Sequence, residues 1–452
     1  MMLGLTGLLM TGGCTAYRAS PLDAQGARRA YYARAADAGE VLARIETERK
    51  AGRDDLSFDL TDGLSLEEAE IVALVFNGEA RAARGRARVP LAGVEHAGVW
   101  EDPTLGVDIT RVLADVTHVW KTSVPVGLTI PVSGRLGAAV SLAQAEARVA
   151  LTEAARVEWD VIVAIRHAWN DWSAADRSLK LARELNEGLD AVVAIVDHLE
   201  QAGEVSRVEA RVVRLEQAGR RADLRHLENE SDAAERRIRA LLGVAAPVGL
   251  TPGLSSRVPE GEIDALRDRV LRTNALVRVA EARYDAAERR LALEIRRQYP
   301  DVQLGGGIGA EDGDAQASVG VGVTLPLWNR NRRAVAEAQS TREAARLEYE
   351  IACEAAMAEL DAGLASWTRS RTTRDEVVRG IVPLSNAQAQ DMRALADLGE
   401  VNVVLMLESL RTQFDAARRL IEAETAEAAA SVRVGAVLGP VDGQPSAGRM
   451  EP

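Results

Sequence analysis

Five histidines (His96, His118, His167, His198 and His226) are the side chains best suited to bind a metal ion or relay protons near neutral pH. They form no metal-ligand spacing. The two cysteines, Cys14 and Cys353, stand in different contexts, and Cys353 falls in the middle of a helical pattern. Neither a disulfide framework nor a thiolate metal site is expected from them. No nucleophile motif occurs. The run Gly305-Gly306-Gly307 could cradle a phosphate, but it leads into more strand pattern and not into a helix N-terminus. No enzyme, cofactor or metal centre is expected.

What chemistry remains sits at turns and at the N-terminus. Gly203-Glu204-Val205-Ser206 and Gly399-Glu400-Val401-Asn402 match at a separation of 196. Glycine there permits the tight turn between antiparallel helices. Glu204, Val205, Glu400 and Val401 then stand at the free ends of hairpins, available to a partner. At the start of the chain, the apolar run Leu3–Met10 precedes Thr11-Gly12-Gly13-Cys14. This is similar to a bacterial lipoprotein signal, in which the cysteine is acylated after cleavage. It departs from that pattern in lacking a basic residue before the run and in carrying Thr11 where leucine is usual.

These turns belong to a larger repeat. Val126-Gly127-Leu128-Thr129-Ile130-Pro131 and Val321-Gly322-Val323-Thr324-Leu325-Pro326 match 195 residues apart. Leu242-Gly243 and Leu438-Gly439 keep the separation of 196, while Asn77/Asn274 and Pro103/Pro300 lie 197 apart. The protein is a duplicated unit of about 195 residues.

Four segments alternate with period two. Leu105, Val107, Ile109 and Leu113 share a face in the first; Val124, Val126, Leu128, Ile130 and Val132 do so in the second. Val302, Leu304 and Ile308 line the third, and Val319, Val321, Val323, Leu325 and Leu327 the fourth. Gly, Ser, Thr and Gln dominate the opposite faces. Each has the length a tilted strand needs to cross a bilayer, and no stretch of 18 apolar residues exists to cross as a helix. Trp100, Trp120 and Trp328 are placed just outside the strands, as interfacial aromatics. Residues 115–123 and 311–315 read as hairpin loops, and Pro131 and Pro326 as the ends of strands two and four. Four strands cannot close a barrel, and open edges are not tolerated in lipid. Three copies would supply twelve.

A proline-free helical pattern runs from Gly134 to about Glu200, some 100 Å long at 1.5 Å per residue. Leu185, Leu189, Val192, Val196 and Leu199 form a heptad seam, echoed by Val403, Leu407, Leu410, Phe414 and Ile421. Return helices end at Leu242 and Leu438, and single helices are predicted over 64–97 and 262–298, ahead of each strand pair. Two shorter helices would thus lie end to end along each long one. Composition agrees: hydrophobic residues make up 47% but aromatics only 4%, which suits long, closely packed helices over a thick globular core. A net charge of −13 argues against a nucleic-acid partner.

Leu64-Ser65-Leu66-Glu67-Glu68-Ala69 with Asn77, Asp102-Pro103-Thr104-Leu105, the two Gly-Glu-Val turns and Leu325-Pro326-Leu327-Trp328-Asn329-Arg330-Asn331-Arg332 together resemble the TolC-like family of outer-membrane efflux proteins. The last stretch is similar to the family's heavy-metal branch, although Ile130-Pro131-Val132-Ser133-Gly134-Arg135 lacks its Asn-Arg-Asn. The resemblance implies a mainly α fold with membrane β: long helical hairpins forming a periplasmic tube, and four strands per chain closing as a twelve-stranded barrel in a homotrimer. It implies docking of the tips onto a periplasmic adaptor coupled to an inner-membrane pump. It also makes Glu209 and Glu408, shortly after the tips, candidates for an acidic aperture. The expected organisation is a signal-type segment 1–14, an N-terminal periplasmic segment 15–62, repeats 63–245 and 260–440, and a disordered tail 441–452. A type I secretion conduit and a coiled-coil scaffold without transport are the alternatives.

Overall fold

Helical and strand-forming stretches follow one another as the duplication predicts, with joints that periodicity alone did not reveal. The computed structural model describes residues 17–37, 39–50, 58–111, 113, 120–254, 261–311, 314–397 and 402–440. After α1 (Ala24–Tyr32) and α2 (Gly39–Lys50), the first repeat comprises α3 (Leu66–Phe76), α4 (Gly78–Val94), β1 (Thr104–Leu105), β2 (Asp108–Arg111), β3 (Trp120–Ile130), α5 (Arg135–Ala202) and α6 (Arg207–Leu242). The second comprises α7 (Ile263–Thr273), α8 (Ala275–Arg296), β4 (Val302–Glu311), β5 (Asp314–Val323), α9 (Arg332–Glu376), a π-helical turn (Val377–Ile381), α10 (Val382–Asp397) and α11 (Val403–Leu438). The expected tail, 441–452, lies outside the described residues.

The helices predicted over 64–97 and 262–298 are each two helices, broken at Asn77 and Asn274. Both asparagines are buried and do two jobs. Their side-chain oxygens cap the following helix, accepting from the backbone N–H groups of Glu79 and Ala80, or of Leu276 and Val277. Their amides donate at 2.8 Å to the carbonyls of Leu241 and Val437, near the ends of the return helices. Helix termini leave such groups without partners, so one residue type satisfies two helix ends at once. Around each joint sits an equivalent core. Val161, Ile165, Ile238 and Leu242 pack with Phe76 and Ala80 in the first copy, and Ala356, Leu360, Val434 and Leu438 pack with Val277 in the second. The first core is larger, because Trp169 and Trp172 join it edge to face at 5.5 Å and Val41 and Ile45 of α2 cover it.

α5 is the axis of the molecule: α4 packs on its strand-proximal half, α6 on its distal half, with α8 and α11 on another side. The predicted end-to-end arrangement of shorter helices is therefore present. The predicted seam is buried too, with Leu185, Leu189, Val192 and Val196 of α5 against Val403 and Leu407 of α11.

The second long helix differs from α5 in one respect. The copies stay 195 residues apart as far as Trp172/Trp367, yet Gly203 and Gly399 are 196 apart. One residue has entered the second copy within that interval, and the π turn Val377–Ile381 lies inside it. A π turn spends one more residue per turn and so absorbs an insertion without rotating the rest of the helix. Pro383, which cannot donate to the preceding turn, follows closely. Deleting Gly380, whose added Cβ would meet nothing within 4 Å, should return this turn to α geometry. The expected result is unchanged helix content by circular dichroism and slower amide exchange across 377–386.

The strands form one antiparallel sheet in the order β1/β2, β3, β4, β5. Its register carries the predicted faces across the sheet. Leu105, Val126, Gly306 and Val319 lie in one row, with Leu128, Leu304 and Val321 in the next. Gly127, Gly305 and Gly320, and Thr129, Gln303 and Gly322, form rows on the opposite face. The first predicted strand is interrupted at Gly106–Val107 opposite Pro125. Gly106 donates to the Pro125 carbonyl at 2.9 Å, but proline has no N–H to return, so the ladder lapses there. Trp120 is not outside the strands: it opens β3, and residues 120–123 of the predicted loop pair with β2. The second predicted loop shrinks likewise, since Glu311 pairs with Asp314. Strand four ends at Val323, three residues before Pro326, leaving Leu325 and Leu327 beyond the sheet.

Candidate membrane-facing sheet and docking tips

Among the described residues nothing covers the apolar face of the sheet. Val321 is 69% exposed, Ile308 69%, Leu105 73% and Val319 92%. So large a contiguous apolar surface marks contact with lipid or another chain. Among the described residues no helix is long and apolar enough to cross a membrane. The tryptophans frame the strands. Trp100 and Trp328 flank the helix-proximal ends, and Trp120 sits at the far rim, its ring 5.7 Å from the Arg111 guanidinium carbon. At the helix-proximal rim, Arg330 and Asn331 adopt left-handed φ of 45° and 51°, and the Asn331 amide donates to Glu294 O at 2.9 Å. This fixes the strand-to-helix junction singled out in the sequence.

The first tip is fully described. Gly203 has φ 78°, and the bond from Glu204 N to Leu199 O, 2.9 Å, closes α5 in a Schellman turn. Ser206 and Glu209 then form a reciprocal capping box: Ser206 N donates to Glu209 Oε2 at 2.9 Å, and Glu209 N to Ser206 Oγ at 3.2 Å. Hydrogen bonding from Ser206 holds the Glu209 carboxyl below its ordinary pKa. Val205 is turned inward against the α5–α11 seam and acts as a hydrophobic staple with Ala210. Of the residues expected to be free at this tip, Gly203 and Glu204 are exposed and Val205 is half-buried. Above the tip Arg214 clamps α6 to α5, reaching Asp197 at 2.5 Å and Glu200 at 2.6 Å.

At the second tip Gly399, Glu400 and Val401 lie outside the described residues, as does Cys14. Asn402 caps α11 through Leu405 N at 3.1 Å. Glu408 is exposed and only loosely paired, 3.9 Å from Arg411. Arg411 has a better partner that sequence reading missed. Its guanidinium meets Glu216 of α6 at 2.5 Å, and Glu216 also takes Arg220, which stacks over Phe414. The signal was present, since Glu216 and Arg411 stand on the two return helices, 195 residues apart, with opposite charge.

This cluster ties the two hairpins together. The Arg411 hydrogen bond, the largest influence, pulls the Glu216 pKa down. A depressed carboxylate contributes stability that is complete above its unfolded pKa, about 4.3, and is lost as pH falls through the lower folded value. The hairpin contact should therefore persist from pH 5 to 8 and loosen only in acid. Amide exchange at 210–220 against pH checks it, and Glu216→Gln should remove the acid step. Among the described residues there is no His, Cys, Asp and Glu grouping able to hold a metal.

The sequence profile of the outer membrane efflux protein family matches residues 81–244 and 266–440. The cobalt-zinc-cadmium resistance protein CzcC of Cupriavidus metallidurans is 24% identical over 369 residues, covering 79% of this chain and 86% of that protein. A structure of CusC, studied for folding and transmembrane channel formation, superposes with a TM-score of 0.69 at 17% identity, over 84% of this chain and 93% of its own. The open state of the Neisseria gonorrhoeae MtrE outer membrane channel gives a TM-score of 0.67 at 16% identity, over 85% and 95%.

Proposed function

We propose, for a chain that belongs to the outer membrane efflux protein family, that three copies close into one passive exit duct serving a tripartite pump. Its work is transport, not catalysis. One observation carries the closure: every layer is open on the same two sides. In the sheet the free edges are β1/β2 and β5; in the strand-proximal helical layer they are α4 and α9. In the distal layer they are α6 and α10. Val208, Val212 and Leu215 line an exposed stripe on α6, and Leu384 is exposed on α10. Unpaired strand edges cannot stay open in lipid, and three copies supply the twelve strands of an even-numbered barrel. Protein extracted in mild detergent should have the mass of three chains; a monomer would overturn the reading.

The cargo proposed is divalent transition-metal cations, by likeness to the cobalt-zinc-cadmium resistance protein. Cells lacking this protein should lose tolerance to those metals, and unchanged tolerance would remove the assignment. The periplasmic adaptor would seat on the tips, at Gly203 and Glu204 and at Gly399, Glu400 and Val401. Glu204→Arg should then reduce adaptor cross-linking while leaving trimer mass intact. Glu209 and Glu408 remain candidates for an acidic mouth that favours cations. Unchanged conductance and cation preference in the Glu209→Gln/Glu408→Gln channel would end that role. Acylation of Cys14 would anchor the N-terminus, which the mass of the mature N-terminal peptide decides.

A further inference from the structure

The seam between repeats inside one chain is a template for the seam between chains. Within the chain, α5 of the first repeat packs on α8 of the second. Ion pairs lace that contact: Arg283 to Glu153 at 2.7 Å, Arg148 to Asp285 at 2.5 Å and Arg290 to Glu146 at 2.6 Å. If copies form a ring, the next seam joins the equivalent of α5, which is α9, to the equivalent of α8, which is α4 of the neighbouring copy. This inference rests on the ring closure proposed above.

Both helix pairs can be aligned without gaps. α4 and α8 stay 197 residues apart between Asn77/Asn274 and Pro103/Pro300. α5 and α9 stay 195 apart between Pro131/Pro326 and Trp172/Trp367. On that alignment Arg283 corresponds to Arg86 and Glu153 to Glu348, so the charges are conserved in sign. Asp285 corresponds to Arg88 and Arg148 to Glu343, so this pair is kept with its polarity reversed. The third pair corresponds to Gly93 and Thr341 and is absent.

The four residues are exposed, and Arg86, Arg88 and Glu348 make no ion pair among the described residues. Glu343 pairs with Arg346, three residues along its own helix. Around them α4 presents Ala82, Gly85 and Val89, and α9 presents Ala344, Leu347 and Ile351, all exposed. A small-residue stripe flanked by arginines thus faces, across the seam, an apolar stripe flanked by glutamates. We infer that a second copy of this chain docks here, with Arg86 meeting Glu348 and Arg88 meeting Glu343 across each boundary. The reversed pair makes the seam between chains electrically distinct from the seam within the chain. An α4 edge placed against α5 of another copy would bring Arg88 against Arg148, so the charges also reject a misregistered assembly.

Two measurements test this. In a Cys14→Ser/Cys353→Ser background, Arg86→Cys with Glu348→Cys should give chains joined by a short bismaleimide, with each single-cysteine variant as control. α5 and α8 come between α4 and α9 of one chain, and a product of twice or three times the chain mass reports the seam between copies. Separately, Arg86→Glu should raise trimer dissociation by about fivefold per seam, and adding Glu348→Arg should restore it. Protein of trimer mass that gives no cross-linked product overturns the seam, and so does a charge reversal that is silent or is not rescued. Protein of monomer mass would instead overturn the ring itself.

Discussion

Gly439→Ala should leave little protein able to fold. Gly439 has φ 70°, and a Cβ built there would lie 2.1 Å from the Thr273 carbonyl oxygen and 2.7 Å from its carbon. That atom cannot swing aside, because it belongs to the backbone where α7 meets α8. Nor can the joint shift freely. Asn274 bonds across it to Val437, Thr273 Oγ1 donates to Leu438 O at 2.5 Å, and Arg269 donates to Gly439 O at 3.2 Å. Strained φ and overlap together should cost about 3–5 kcal/mol, a large share of the stability of most domains. Gly243→Ala should behave alike in the first copy, where the nearest atom is Phe76 O at 2.5 Å. Gly219→Ala is the control. It lies within α6 with nothing within 4 Å of its added Cβ, so it should stabilise by about 0.5–1 kcal/mol. Thermal unfolding followed by circular dichroism separates the three.

Val126→Arg should block insertion into the outer membrane, whereas Ser318→Lys should not. Val126 is central on the uncovered face, paired with Leu105 on one side and Gly306 on the other. A charge at mid-depth on the lipid side of a barrel costs about 2–4 kcal/mol, and a trimer would carry three. Ser318 pairs with Gly307 in a row that includes Pro125, on the opposite face of the sheet. A lysine there would meet water in the duct, with an effect of roughly 1 kcal/mol or less. The amount of heat-modifiable trimer in the outer-membrane fraction measures both. Equal loss in the two variants would mean that the faces had been assigned the wrong way round.

Much of this architecture was legible because it is carried by periodicity and repetition. Period-two alternation gave the apolar faces of the strands, and the heptads at Leu185–Val196 gave the buried seam of α5. Both reflect which side chains must leave water, a property of local spacing. The Gly203 turn gave the first hairpin end, since a tight turn restricts the residue types that fit. The breaks were harder to read. Asn77 and Asn274 stood out as a matched pair, but their role as joints depends on the carbonyls of Leu241 and Val437, more than 160 residues away. Pro125 was visible as a strand residue, but the gap it causes appears in its neighbour, the strand across from it.

What the sequence determined by itself was the duplicated unit and the apolar faces of the strands, because these follow from local pattern. The tertiary structure decided where partners meet. Val205 turns into the seam instead of outward, Glu209 is committed to capping its own helix, and Glu216 with Arg411 links the hairpins. Each of those outcomes depends on which helices become neighbours, and on whether a charged side chain finds an opposite charge within reach before it finds water. A single strand of sequence carries no record of that distance.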